Sequence, residues 1–178
     1  LQEPLGLDPQ LATTCGERLQ TLKAAKARKE QVRTLVQQAR RLEQAGDEIK
    51  AFQTYREALA LDPDNKEAQG AVLRLAQARK EALEQALAAG QLEQIEELLS
   101  TFGPYAETLP DGQALAAGYS EQLQALESAA AKTEQIQQLL SQAKQYQEAN
   151  QSLKAFETYR EVLQLDPEQA KAKTAIEQ

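Results

Sequence analysis

Residues 50–63 read KAFQTYREALALDP, and residues 154–167 read KAFETYREVLQLDP. The offset between them is constant: Tyr55 and Tyr159 lie 104 residues apart, and so do Pro63 and Pro167. The preceding stretches correspond too, LVQQARRLEQAGDEI (35–49) with LLSQAKQYQEANQSL (139–153). Each pair of stretches reads as an amphipathic helix, a break at Gly46 or Asn150, and a second helix ending at Leu-Asp-Pro. Gly and Asn are the residues that tolerate the left-handed backbone closing a helix. The chain therefore carries a repeated helical hairpin, and a repeat of this kind sets the fold.

The hairpin resembles the tetratricopeptide repeat. In the first copy the resemblance makes Ala39 the small residue of the first helix and Gly46-Asp47 the turn. Ala51 and Ala58 are the small residues at the helix crossing, Tyr55 is the ring packed between helices, and Pro63 ends the unit. In the second copy the same roles fall on Ala143, Tyr146, Asn150, Ala155, Tyr159, Val162 and Pro167. Leu35 and Leu139 stand where the family usually has Trp, Gln38 and Gln142 where it has Leu, Leu42 where it has an aromatic, and Asn150 where it has Gly. The resemblance implies an all-α solenoid of TPR-like hairpins. It also implies a concave face, lined by first helices, that holds a protein or peptide. On that face it places Arg33, Gln37, Arg40 and Gln44 in one copy and Lys144, Gln147 and Glu148 in the other. Arg40 and Lys144 are equivalent, so a cationic rung that meets a carboxylate recurs, unless nearby glutamates take both. The Asn residues with which one subfamily grips chaperone tails are missing here.

The rest of the chain is read as one helical-repeat domain spanning 1–178. LGLDP (5–9) is the tail of an earlier repeat, 77–110 a degenerate hairpin turning at Gly90, and 168–178 the start of a final helix. The opening inside a repeat reads as a fragment or processed product of a larger, bacterial-type protein. Between each proline and the following turn the spans are long and free of Pro, which predicts helices over 10–45, 64–89 and 111–149. The last would be about 55 Å long at 1.5 Å per residue. Its apolar residues, from Leu115 and Tyr119 through Ala130 and Thr133 to Ile136 and Ala143, fall at steps of three and four and predict one continuous face. Asp8-Pro9, Asp62-Pro63 and Asp166-Pro167 each read as a helix stop followed by the first turn of a new helix. Pro104 and Pro110 forbid a helix through 103–112.

Composition agrees with helix throughout. Ala, Leu, Gln, Glu, Lys and Arg, the strong helix formers, dominate. Hydrophobic residues make up 42% of the 178, with no Trp or Met and 4% aromatic residues, so an aliphatic core is affordable. The net charge of −7 argues against nucleic acid as the main partner, because a duplex binder needs a basic face to displace counterions. No apolar run is long enough to span a membrane. Cys15 is the single cysteine, which rules out an internal disulfide, and its place between Ala12 and Leu19 predicts a small buried residue. Phe52, Tyr55, Phe156 and Tyr159 are expected in the interhelical core.

Chemistry is sparse. Histidine is absent, which removes His-based acid–base catalysis and most zinc sites. There is no Gly-rich phosphate loop, and acid pairs such as Glu96-Glu97 fall on solvated helix faces. The expectation is no enzyme and no cofactor, catalytic residue or metal. It is a protein-interaction scaffold with a peptide or protein partner, no nucleic acid and no membrane insertion. The alternative is a structural spacer or a homodimer joined along the long helices. The Ala/Gln/Glu-rich style and near-absence of Cys point to a bacterial envelope protein outside the cytoplasm, periplasmic for example; a cytoplasmic scaffold is the alternative.

Overall fold

A computed structural model describes residues 9–177. The greater part of the expected earlier-repeat tail, residues 5–8, lies outside them. The described residues form eight helices and no strand: α1 (Pro9–Gln44), α2 (Glu48–Leu61), α3 (Lys66–Ala89), α4 (Leu92–Ser100), α5 (Gly103–Ala106), α6 (Gly112–Glu148), α7 (Ser152–Leu165) and α8 (Ala170–Glu177). The fold is all-α. The three long helices expected from the proline and glycine spacing are α1, α3 and α6, of 36, 24 and 37 residues.

Three of the breaks share one construction. Gly46, Gly90 and Asn150 have φ of +81°, +65° and +57°. At each, the following residue's N–H reaches back five residues, Asp47 to Leu42 O at 2.9 Å, Gln91 to Ala86 O at 3.1 Å and Gln151 to Tyr146 O at 2.8 Å. The turn residue itself bonds three back, to Glu43, Leu87 and Gln147. This is the Schellman closure, which satisfies the last carbonyls of a helix at the cost of one left-handed residue. Asp47 then opens α2: its carboxylate accepts from Lys50 N at 3.3 Å and Lys50 Nζ at 2.6 Å.

The proline boundaries need a correction. α1 begins at Pro9, but α3 and α8 start three residues after Pro63 and Pro167. The prolines sit in the connecting turns, and Asn65 Oδ1 caps α3 by accepting from Ala68 N at 3.0 Å. The 103–112 segment is broken as its prolines require, with α5 a single turn that has Pro104 in its first positions.

The described chain divides into two units. The first comprises the described residues up to Ala82 with Thr101–Gln113; the second comprises Leu83–Ser100 with Ala114–Gln178. In the first, α1 packs on α2. Ala39, Ala51, Ala58, Ala68 and Ala76 are fully buried, which lets helix backbones approach closely. Phe52 and Tyr55 are buried as expected and fill the space beside them, each contributing roughly 1.5–3 kcal/mol by burial. In the second unit α6 and α7 share a core of Ile136, Ala143, Ala155, Tyr159 and Val162, and α8 adds Ala172. Leu83, Ala86, Ile95, Tyr119 and Leu123 are also buried in this unit.

Three expectations about burial fail. Phe156 is 43% exposed, against 1% for its counterpart Phe52. Cys15 is exposed, because every described side chain of α1 from 10 to 31 faces solvent; this half of the helix has no buried face. The apolar face of α6 is likewise discontinuous. It is buried at Tyr119 and Leu123 and again at Ile136 and Ala143, yet residues 127–135 are all exposed. Periodicity gives a face its direction along the helix but not a neighbour at every turn.

Candidate functional site

Arg33, Gln37, Arg40 and Gln44 lie at steps of four, three and four, so they share one face of α1. All four are exposed. The adjoining face, one residue round the helix, carries Val32, Val36 and Ala39 into the core and fixes the direction of the polar row. Two hollows lie against that row, and a third adjoins them further along α1. The first, of about 420 Å³, is lined by Arg33, Gln37 and Arg40 of α1, by Asp62 and Asn65 of the α2–α3 turn, and by Glu67. The second, about 630 Å³, shares Arg40 and Glu67 and adds Glu43, Gln44, Tyr55 and Arg74. The third, about 490 Å³, extends from Val32 towards Thr21 over Ala24, Ala25 and Pro63. Together they make an open trough along α1, polar at the Gln44 end and apolar at the Thr21 end.

Ion pairs set the trough's electrostatics. Arg40 Nε contacts Glu67 Oε1 at 2.5 Å, and Arg74 Nη1 contacts Glu43 Oε1 at 2.5 Å. The Tyr55 hydroxyl donates to the other oxygen of Glu43 at 3.3 Å. The hydrogen bond from Arg74 holds the Glu43 carboxyl below its ordinary range, against an opposing push from burial. Burial, followed by the charge of Glu43, raises the Tyr55 phenol. Arg33 is different. Its nearest carboxylate, Glu30, is 4.0 Å away and both side chains are 70% exposed, an arrangement that contributes almost nothing to stability. Arg33 is thus open to a ligand, and Arg40 retains donors, since a guanidinium has five N–H groups.

The second unit assembles its expected residues less completely. The Tyr159 hydroxyl donates to Gln147 Oε1 at 2.8 Å, matching Tyr55 on Glu43 across the 104-residue offset. Gln147 lines a hollow of about 390 Å³ with Ala170, Lys171, Thr174 and Ala175 of α8. Lys144 and Glu148 do not line it; they pair with each other at 3.9 Å on the exposed surface of α6. The offset also pairs Glu67 with Lys171, and Glu43 with Gln147. The acids that neutralise the first trough are therefore basic or neutral in the second.

Sequence reasoning missed Glu67, Arg74 and Lys171. Arg74 is 31 residues from the Glu43 it pairs with, and no local pattern links them. Lys171 had a usable signal: applying the 104-residue offset to α3 places it opposite Lys144. Among the described residues no group of three or more Asp, Glu or Cys is arranged to hold a metal ion, and no helix is long and apolar enough to cross a membrane. Compared with protein-family models, with curated proteins and with solved structures, the chain matches none.

Proposed function

We propose that this chain is a non-catalytic protein-interaction module, a scaffold whose TPR-like hairpins, mounted on long helices, hold extended polypeptide segments. The observation that carries the reading is the trough along α1, in which the expected Arg33, Gln37, Arg40 and Gln44 form one polar row beside an apolar hollow. Side-chain amides and guanidinium groups donate to a peptide's carbonyls and carboxylates, while Ala24, Ala25 and Val32 accept an apolar side chain. Ligand pockets commonly combine an apolar floor with a few placed polar groups. The preferred ligand is a segment with an acidic residue near an aliphatic one. In a displayed peptide library, binders selected by the whole chain should share that pattern. Replacing Arg33, Gln37 and Arg40 together with Ala should weaken them at least tenfold. Selected peptides indifferent to the triple change would sink the reading.

A second reading, a spacer or dimerising rod, is supported by the exposed Leu19 and Leu22 on the free half of α1, at 54% and 67%. Sedimentation equilibrium separates the two: a monomer at all concentrations removes the dimeriser.

A further inference from the structure

The two hairpin copies differ in what lies on the outer face of their second helices. On α2, Phe52 and Arg56 are one turn apart. The Tyr105 ring stacks on Phe52 with centroids 4.0 Å apart and planes inclined by 29°. The Arg56 guanidinium lies 6.0 Å from the centre of the Phe52 ring, and its Nη2 meets Glu107 Oε2 at 2.7 Å. A single turn of chain, Tyr105-Ala106-Glu107, thus supplies both a ring for the ring and a carboxylate for the guanidinium. The contact combines aromatic stacking, a cation over a ring face and a charge-assisted hydrogen bond.

On α7 the receiving half of this contact is repeated. Phe156 and Arg160 stand at the same offset from Phe52 and Arg56, with Leu153 one turn earlier in place of Ile49. Nothing described fills it. Phe156 is 43% exposed and Leu153 is 72% exposed. Arg160 is exposed, and among the described residues it has no carboxylate partner.

We infer that the Leu153–Phe156–Arg160 face of α7 is a docking site for a partner polypeptide. That partner presents an aromatic ring and, two residues later, a carboxylate on a single helical turn. The occupant is specified by the first copy, where that chemistry already satisfies the same two side chains. Charge complementarity points the same way, because a part-exposed Phe one turn from an Arg with no carboxylate partner selects an aromatic–acid pair over a purely aliphatic segment. A second copy of this chain does not supply the pair, since its own Tyr105 is 2% exposed and already committed to Phe52. The site is separate from the α1 trough and does not depend on it.

The test uses the whole chain and a fluorescent synthetic peptide of residues 100–111, STFGPYAETLPD, followed by anisotropy. Saturable binding is expected. Phe156→Ala and Arg160→Glu should each weaken it at least tenfold, and Arg160→Glu should leave the thermal midpoint unchanged, because that side chain is exposed. The same peptide carrying Glu107→Lys should bind Arg160→Glu better than it binds the parent chain. Absence of saturable binding, or equal binding by the parent and both variants, overturns the proposal. Self-association of the chain that Phe156→Ala abolishes also overturns it, because a second copy would then be the occupant.

Discussion

Gly112 shows how one residue can be fixed by a neighbour that local sequence does not disclose. A Cβ at this position would lie 1.8 Å from the carbonyl oxygen of Ala106 and 2.6 Å from its carbon. Both are backbone atoms and cannot swing aside. Gly112→Ala should therefore destabilise the fold by about 1–3 kcal/mol, the usual cost of forced overpacking, measured by urea denaturation. Gly46 and Asn150 were legible because a left-handed helix end recruits those residue types. Gly112 was not, because its constraint comes from the irregular turn that folds back on it. Tyr119 is a second residue whose surroundings decide its behaviour. Burial, reinforced by donation to Glu84 Oε1 at 3.0 Å, pushes its phenol up to about 12, from about 10 in an unfolded chain. The folded state then holds a proton that the unfolded state releases, so this contribution is intact below pH ~10 and is lost as pH rises towards ~12. The difference between the ultraviolet titrations of the parent and Tyr119→Phe should show a midpoint near 12; a midpoint near 10 would contradict the burial argument.

At the scale of elements, the spacing of Pro and Gly located the long helices to within about two residues. The closing turns were equally readable. What each helix meets along its length was not. Periodicity alone made the α6 face continuous, whereas 127–135 is bare. It also placed Phe156 with Phe52, whereas only Phe52 has a ring laid over it. Pairing between elements is hidden for the same reason, as with Glu43 and Arg74. That pair ties the middle of α3 to the end of α1 and has a measurable pH signature. Because Glu43 titrates below its ordinary value, its stabilising effect is present above that value and fades as pH falls through the lowered one. Arg74→Ala should move the Glu43 carboxyl, followed by carbon-detected NMR titration, upward. An unchanged titration would mean that Arg74 is not what holds it down.

At the scale of the whole molecule, the fold class was legible and the candidate site was legible in part. The polar row on α1 followed from helical phase alone. Its hollows depend on where the α2–α3 turn sits, and no residue of the row reports that. In the second copy the same phase argument chose Lys144, which is exposed on α6 with Glu148 3.9 Å away and does not line the hollow beside Gln147. The first half of α1 buries no described side chain, and most helical stability in a protein comes from tertiary packing. Its amides should exchange with solvent ahead of those beyond Val32, and limited trypsin should cut first at Lys23, Lys26, Arg28 or Lys29, leaving α2 intact. A partner lying in the apolar end of the trough, over Ala24 and Ala25, would slow both processes, so protection of these four sites offers an assay for occupancy that needs no label on the ligand.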